Sequence, residues 1–258
     1  MPVLLVGCGR MGSAMARGWA GSETIFVHDP LADILPEGVE RIDAFDTLGG
    51  EDLVVVLAVK PQIFGSLGSS LHSLTHSGAL FVSIMAGITL GGLSDALGGA
   101  RRIVRAMPNT PAAIGRGITA AVPGSAITAG DRSRVDALLA ATGTLVWLDD
   151  EAQIDAATAV SGSGPAYFFR FTEALAIAGE KAGLPPHIAM QLARATFTGA
   201  AALADQDAAP LAELRRQVTS PGGTTAAGLG EMDRGEAIDR LVAAVVGAAA
   251  VRSRELAG

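Results

Sequence analysis

The sequence has one cysteine, few aromatic residues and few charges, and each shortage excludes a class of protein. Cys8 is the only cysteine among 258 residues, so no disulfide forms within the chain, which suits a reducing compartment. Only 17% of the residues are charged, and the net charge of −7 argues against nucleic acid or an anionic membrane as a partner. Aromatic residues make up 4%, yet the apolar share of 49% suffices for a core and excludes disorder.

Long hydrophobic runs are also missing. The strongest runs, Leu53–Val59 and Leu241–Val251, fall well short of the ~20 residues that a membrane-spanning helix needs. The N-terminus is apolar at once and lacks the basic region and cleavage site of a signal peptide. We therefore expect a cytoplasmic protein without a membrane partner.

Short β-branched runs alternate with helical patterns in the first half of the chain, which predicts a mostly parallel sheet covered by helices on both faces. The predicted strands are Val3–Val6, Thr24–His28, Leu53–Val59, Ala79–Ile84, Arg102–Arg105 and Leu145–Leu148. The predicted helices are Gly12–Trp19, Gln62–His72 and Ser133–Ala141.

The strand signal ends near residue 149, and the rest of the chain is rich in alanine and leucine at helical spacing. The predicted helices are Ala166–Ala182, His187–Ala204, Pro210–Gln217, Thr225–Met232 and Glu236–Leu256. The fold class is therefore α/β, with a doubly wound sheet domain over residues 1–150 and an all-helical domain over residues 151–258. These helices hold few large side chains and bury little area each, so we expect a second subunit to supply the missing contacts.

A glycine motif connects the first predicted strand to the first helix, the context that is typical of a dinucleotide-binding loop. Its residues are Gly7-Cys8-Gly9-Arg10-Met11-Gly12. Gly7 permits the tight turn, Gly9 lets the backbone reach a pyrophosphate, and Gly12 allows close helix packing. The helix N-terminus favours the phosphates, and Cys8 is a small spacer rather than a redox centre. A plain glycine-rich turn is the alternative.

Asp29 ends the second predicted strand, within His28-Asp29-Pro30. A carboxylate at this distance from the glycine motif accepts hydrogen bonds from the ribose hydroxyls of NAD and repels the extra phosphate of NADP. The sequence therefore favours NADH. A solvated aspartate before a proline, in an ordinary turn, is the alternative.

Two further loops follow predicted strands, at the sheet edge where doubly wound folds bind ligands. In Ala58-Val59-Lys60-Pro61, the Lys60 ammonium either faces the cofactor or an anionic substrate, or is an ordinary surface lysine. In Met107–Pro111, Asn109 either hydrogen-bonds a nicotinamide amide or belongs to a rigid turn made by two prolines.

Two loops of the helical half carry glycine and hydroxyl groups. Ser161–Pro165 is predicted to be a break that begins a helix, with proline at the first helical position. Thr219–Thr225 joins two glycines to four hydroxyl side chains before a helix, and successive N–H groups there can form a nest for a carboxylate. A linker with a threonine N-cap is the alternative for this second loop.

The four histidines show no spacing of metal ligands, so no metal site is predicted, and no nucleophilic triad is visible. An alcohol dehydrogenase needs a general base, whereas the substrate of a C=N reductase arrives as a protonated iminium. A reductase of the second kind has less need of a general base, because the protein must mainly position the substrate and donate a hydrogen bond to its nitrogen.

These motifs together resemble the pyrroline-5-carboxylate reductase family, the oxidoreductases of the last step of proline biosynthesis. The resemblance runs over essentially the whole chain, and its most specific segment is Val218–Gly228. The other segments that carry it are Gly7–Gly12, Ala58–Pro61, Val82–Ile88, Arg105–Pro111 and Ser161–Tyr167.

The resemblance implies a Rossmann-like domain, a helical domain that intertwines two subunits, often within larger rings, and NAD(P)H-dependent reduction of (S)-1-pyrroline-5-carboxylate to L-proline. It implies that Thr225 hydrogen-bonds the ring nitrogen and that Glu151 lies near the substrate pocket. Lys60 and Ala86 would line the cofactor cleft. The substrate carboxylate would be held by the loop that contains Ser220, Gly222, Gly223 and Thr224.

One segment departs from the family. Many members carry Ser, Asn or Arg after the second strand, which suits the NADP phosphate, whereas this chain has His28-Asp29-Pro30. Two other functions compete. A β-hydroxyacid dehydrogenase would need an acid–base lysine in the helical half, where Lys181 stands at a helix end. The other is a non-enzymatic dinucleotide sensor.

Overall fold

The first half of the chain forms one sheet in the computed structural model, which describes residues 1–45 and 47–257. The eight strands found among these residues are β1 Pro2–Val6, β2 Thr24–His28, β3 Val39–Arg41, β4 Val54–Leu57, β5 Leu80–Ser83, β6 Ile103–Met107, β7 Gly117–Pro123 and β8 Gly143–Trp147. Their order across the sheet is β3-β2-β1-β4-β5-β6-β7-β8. Neighbouring strands are parallel except β6 and β7, which are antiparallel.

Helices cover both faces of the sheet. They are α1 Arg10–Trp19, α2 Pro61–Leu67, α3 His72–His76, α4 Leu90–Ala96 and α5 Ala129–Ala140, with 3-10 turns at Gly68–Leu71 and Thr110–Ile114. Side chains of a strand alternate between the faces, so Leu5 of β1 packs in one cluster with Trp19 and Leu138. Leu4 packs in the opposite cluster with Phe64. Because both faces are covered, β1 and β4 are apolar throughout.

The second half is helical. Its helices are α6 Gln153–Ala157, α7 Gly164–Lys181, α8 Pro186–Gln206, α9 Leu211–Gln217, α10 Thr224–Asp233 and α11 Ala237–Ala257. Contacts group the described residues up to Ser163 with those from Ala249 onward as a first compact unit, and Gly164–Ala248 as a second. The functional boundary at residue 150 stays a prediction. None of the helices in the described part of the chain combines the length and the apolar content that crossing a bilayer requires.

The second unit leaves much apolar surface uncovered. α7 and α8 pack together and bury small side chains such as Ala176 and Ala193. Among the described residues, α9 and α10 bury no side chain. Large apolar side chains are exposed on this unit, including Phe168, Phe169, Phe171, Leu211, Val218, Leu241 and Val242. An apolar surface of this extent is typical of a face that another chain covers.

Several predicted elements differ from those observed. The structure adds β3, which is short and half polar, and β7, which starts at a glycine and ends at a proline. The predicted helix Gln62–His72 is interrupted by a 3-10 turn at Gly68, where a Cβ would lie 2.5 Å from the carbonyl oxygen of Ala96. The predicted break at Ser161–Pro165 is shorter than expected, because a π-helical turn extends over Thr158–Gly162, whereas α7 begins at Gly164 with Pro165 in its first turn, as predicted.

Candidate active site

Two glycines of the motif are required by the protein's own packing. Gly7 has a φ of +96°, and a Cβ there would lie 2.8 Å from the backbone of Ala58 and Val59. A Cβ on Gly12 would lie 2.2 Å from the carbonyl oxygen of Gly7. Both glycines therefore allow the close approach of β1, β4 and α1 that the motif predicts.

Gly9 is a glycine that the chain's packing does not require. Its φ of −67° is ordinary, and a Cβ there would meet nothing within 4 Å. Gly9 is the N-cap of α1, and no side chain of the described residues caps the N–H groups of the first turn, where Arg10 and Met11 lie. Open space in front of uncapped N–H groups fits the pyrophosphate of a dinucleotide.

Cys8 contributes its backbone to this loop. Its N–H donates a hydrogen bond of 2.6 Å to Oδ2 of Asp29. Burial, and next the carboxylate of Asp29, raise the pKa of the Cys8 thiol. A thiol with a raised pKa is protonated and unreactive, which agrees with the prediction of a spacer.

The Asp29 carboxylate ties the end of β2 to the glycine loop. Besides Cys8, it accepts a hydrogen bond of 2.9 Å from the N–H of Leu31, the turn contact that the structural alternative predicts. Arg41 donates to the carbonyl oxygen of Asp29 at 2.9 Å and also to that of Ala32. A carboxylate has about four acceptor positions, so Asp29 can still accept from ribose hydroxyls.

His28 supports the loop through its backbone rather than its ring. Its carbonyl oxygen accepts the N–H of Gly7 at 2.9 Å. Its ring turns away, with Nδ1 3.1 Å from the carbonyl oxygen of Ile42 and the ring centre 4.7 Å from that of Phe45.

The loop after β4 lies beside the glycine loop, since the N–H of Ala58 donates to the carbonyl oxygen of Val6. Val59 is half-buried, and Pro61 is the first residue of α2, with Lys60 as its N-cap. The Lys60 side chain is exposed. This placement leaves its ammonium free to approach a ligand at the carboxyl edge of the sheet.

Asn109 is buried and holds the turn after β6. Its Oδ1 accepts a hydrogen bond of 3.0 Å from the N–H of Ile118, next to the start of β7. The amide oxygen is therefore used within the protein, and the NH₂ group is the part of Asn109 that can serve a ligand.

A buried arginine was missed as a site residue in the sequence analysis. Arg105 on β6 is 3% exposed, and its Nη1 lies 2.6 Å from Oε1 of Glu151. The same oxygen accepts a hydrogen bond from the N–H of Leu90 at 2.8 Å, and Nε of Arg105 is buried without a partner among the described residues. A single charge within an apolar strand was the signal that could have identified it.

The loop before α10 leads into a second helix N-terminus with uncapped N–H groups, while the N–H of Gly223 itself donates to the carbonyl oxygen of Ser220 at 3.1 Å. Gly223 is the N-cap of α10, so the predicted alternative of a threonine N-cap is wrong, and no side chain in the described part of the chain caps this helix. Gly222 has a φ of +71°, and a Cβ on Gly223 would lie 2.5 Å from Oγ of Ser220. Thr224 and Thr225 form the exposed first turn of α10. Backbone donors and one hydroxyl thus lie together, as a carboxylate requires.

Comparison with known proteins identifies the family. Residues 151–256 match the family described as "Pyrroline-5-carboxylate reductase dimerisation", and residues 2–87 match "NADP oxidoreductase coenzyme F420-dependent". A pyrroline-5-carboxylate reductase from Arabidopsis thaliana is 38% identical over 262 residues, 97% of this chain and 94% of the relative. The chain belongs to the pyrroline-5-carboxylate reductase family. As a member it is an NAD(P)H-dependent oxidoreductase, and its helical domain is the dimerisation domain of that family.

Solved structures of pyrroline-5-carboxylate reductases share the fold. One from Coxiella burnetii is 32% identical with a TM-score of 0.92, covering 99% of this chain and 98% of that one. One from Plasmodium falciparum, with NADP bound, is 29% identical with a TM-score of 0.79, covering 100% and 98%. These matches confirm the predicted fold class, a Rossmann-like sheet domain followed by a helical dimerisation domain.

Proposed function

We propose that this chain reduces (S)-1-pyrroline-5-carboxylate to L-proline with NAD(P)H. The observation that carries the proposal is the uncapped N-terminus of α10 beside the Ser220 hydroxyl, in a chain of this family. The glycine loop supports it, because Gly9 leaves open space before uncapped N–H groups that suits a pyrophosphate.

The protein's part in the reaction is to bind and orient. The substrate carboxylate lies in the Gly222-Gly223 nest, with the Ser220 hydroxyl as a further donor. The Thr225 hydroxyl hydrogen-bonds the ring nitrogen and fixes which carbon is presented. The bound dinucleotide supplies a hydride for the imine carbon, and the nitrogen of the protonated imine becomes the amine without a general base. Orientation of this kind supplies roughly 7–11 kcal/mol of the barrier.

NADH is the preferred cofactor in this proposal. The Asp29 carboxylate is oriented by the N–H groups of Cys8 and Leu31, and it faces the loop that receives the dinucleotide. A fixed negative charge there accepts ribose hydroxyls and repels a 2′-phosphate. The Plasmodium falciparum relative was solved with NADP bound, so the preference proposed for this chain rests on Asp29 and not on that relative.

The remaining cofactor contacts come from three loops at the carboxyl edge of the sheet. Lys60 and Ala86 are exposed on the loops after β4 and β5, where they line the cofactor cleft. The NH₂ group of Asn109 donates to the nicotinamide amide, because its amide oxygen is already used by Ile118.

The working form is a homodimer at least, which can assemble further into a ring, and it resides in the cytoplasm. The exposed phenylalanines of α7 and the absence of buried side chains in α9 and α10, among the described residues, support a second copy as the cover. The single cysteine agrees with a reducing compartment.

The test is an NADH-oxidation assay with pyrroline-5-carboxylate as substrate and proline as the product measured. Saturable oxidation with equal formation of proline supports the proposal. Oxidation of a β-hydroxyacid by NAD in place of this reaction would assign the chain to the competing dehydrogenase class. Cofactor binding without turnover of either substrate would indicate a non-enzymatic dinucleotide sensor and would overturn the proposal.

A further inference from the structure

The loop after β5 lies at the same edge of the sheet as the glycine loop. Leu57 of β4 pairs with Val6 of β1 on one side and with Ser83 of β5 on the other, so the carboxyl ends of these parallel strands are adjacent. Met85–Ile88 follows β5 directly. In a doubly wound sheet the half that begins at β4 serves the second mononucleotide, which is the nicotinamide half of the cofactor.

The last turn of α11 packs against this loop. Gly87 has a φ of +77°, and a Cβ there would lie 2.5 Å from the carbonyl oxygen of Leu256 and 3.1 Å from its carbonyl carbon. A side chain at position 87 is thus excluded by backbone as well as by conformation. The loop and the C-terminal turn are in contact without a side chain between them.

A second contact fixes the same turn. Oγ of Ser253 donates a hydrogen bond of 2.6 Å to Oδ1 of Asp155, which lies on α6. Ser253 and Leu256 are three residues apart and therefore share one side of α11. All these residues belong to the first compact unit, so the last turn of α11 is anchored on the unit that holds the glycine loop.

The C-terminal end of the loop is held by Glu151, which is close to Asp155 in the chain. The N-terminus of α4 donates through the N–H of Leu90 to Glu151, which is also paired with Arg105. Met85–Ile88 is therefore bounded by the C-terminal turn at Gly87 and by Glu151 at its exit. Leu256, which makes the contact at Gly87, is not among the residues predicted to bind the cofactor.

We propose that the last turn of α11, through Ser253 and Leu256, positions the Met85–Ile88 loop for the nicotinamide half of the cofactor. Ser253 and Leu256 act here as positioning residues that touch no ligand. A glycine at position 87 leaves the loop a wide choice of conformations, and packing against the Leu256 backbone restricts that choice. The inference rests on the proposed cofactor site at the carboxyl edge of the sheet.

The first test compares Ser253→Ala with Glu255→Gln in the full-length protein. Glu255 stands in the same turn but pairs with Arg252 at an exposed position, so its variant controls for a change in helix stability. We expect Ser253→Ala to raise both the KM for NADH and the Kd for NADH, measured without substrate, by about three- to tenfold. The KM for pyrroline-5-carboxylate and the Tm stay at the values of Glu255→Gln.

The second test is a double-variant cycle between Gly87→Ala and a chain that ends at Arg252. The methyl group that Gly87→Ala introduces collides with the Leu256 carbonyl, so we expect this variant to bind NADH more weakly in the full chain and to lose less affinity in the shortened one. If the shortened chain does not fold, the Ser253→Ala comparison decides alone.

The proposal is overturned if Ser253→Ala leaves NADH binding unchanged, or if it changes NADH binding only together with the Tm and the substrate KM. Because the Kd for NADH is measured without turnover, it separates this inference from the proposed function. An enzyme that binds NADH but does not reduce pyrroline-5-carboxylate contradicts the proposed function and leaves the Kd comparison intact.

Discussion

Arg105 and Glu151 form an ion pair of 2.6 Å that joins β6 to the segment entering the helical domain. The Arg105 side chain is almost wholly buried, and the Glu151 side chain keeps partial contact with water. Oε1 of Glu151 accepts hydrogen bonds from both the Arg105 guanidinium and the N–H of Leu90. One carboxylate therefore connects β6, the start of α4 and the segment around residue 151. Glu151 therefore has a structural task beside the role in the substrate pocket that the family resemblance implies.

Replacing Glu151 by alanine is expected to lower the free energy of unfolding by about 3 kcal/mol, because the Arg105 guanidinium is left buried without its partner. The pair Arg105→Met with Glu151→Leu is expected to recover most of the loss, since it removes both charges. Urea unfolding of the three proteins measures the effect. Unchanged stability of Glu151→Ala together with a raised KM for pyrroline-5-carboxylate would instead make substrate binding its main role.

Stability at low pH is expected to depend on Asp131, at the N-terminus of α5. Burial alone raises the pKa of Asp131, but the hydrogen bonds from Arg102 and Thr128 outweigh burial and lower the pKa to about 2. The unfolded value is about 3.9, so the contribution of roughly 2 kcal/mol is complete above that pH and is lost as the pH falls towards 2. Asp131→Asn removes it at neutral pH.

Urea unfolding at a series of pH values between neutral and acid measures this contribution. Asp131→Asn is expected to give a flatter curve of unfolding free energy against pH than the parent protein. Asp52→Asn is the control, because the Asp52 carboxylate pairs with Arg134 at an exposed position where ion pairs contribute little. Parallel curves for the parent and Asp131→Asn would contradict the expected contribution of Asp131 to the pH dependence of stability.

Alanine substitution is expected to weaken NADH binding at Gly9 and to lower stability at Gly12. Gly9→Ala should fold with an unchanged Tm and bind NADH about tenfold more weakly, because the methyl group enters the space given to the pyrophosphate. Gly12→Ala should fail to fold or lose most of its stability, since its Cβ would lie 2.2 Å from the Gly7 oxygen. Thermal unfolding and NADH titration test both. A destabilised Gly9→Ala with full affinity would show that Gly9 serves the fold.

Asp29→Asn is expected to shift the cofactor preference towards NADPH. Asparagine keeps one acceptor oxygen for the N–H of Cys8 or Leu31 and removes the negative charge. The ratio of kcat/KM with NADH to kcat/KM with NADPH should fall about tenfold, which corresponds to about 1.4 kcal/mol. Asp33→Asn, an exposed acid of the same loop, is the matched control. An unchanged ratio in Asp29→Asn would remove Asp29 from cofactor selection.

Thr225→Ala is expected to lower kcat/KM for pyrroline-5-carboxylate by about one to three decades, because the ring nitrogen loses its hydrogen bond. The Kd for NADH should not change, since the glycine loop is intact. Thr225→Ser keeps the hydroxyl and should retain most of the activity. Steady-state kinetics of the two variants decide, and full activity of Thr225→Ala would exclude the hydroxyl from the mechanism.

Local patterns were sufficient for most of the elements and insufficient for the site. The run Thr24–His28 was predicted with the bounds that the structure has, because a buried strand needs only a short β-branched segment between turns. β3 was missed, since its Val-Glu-Arg sequence has no such pattern. The residue types of Ser220–Thr225 predicted a carboxylate site, which stays a prediction, whereas no local pattern predicted the Arg105–Glu151 pair, because it joins residues far apart in the chain.

The amino-acid sequence by itself determined most of the strands and helices along the chain, the glycine loop after β1 and the apolar character of the helical half, since these depend on neighbouring residues. Only the tertiary structure decided three contacts: the hydrogen bond from the N–H of Cys8 to Asp29, the ion pair of Glu151 with Arg105, and the packing of the Leu256 backbone against Gly87. Each of these contacts depends on which strands become neighbours in the sheet and where the last helix ends, and no local periodicity specifies either.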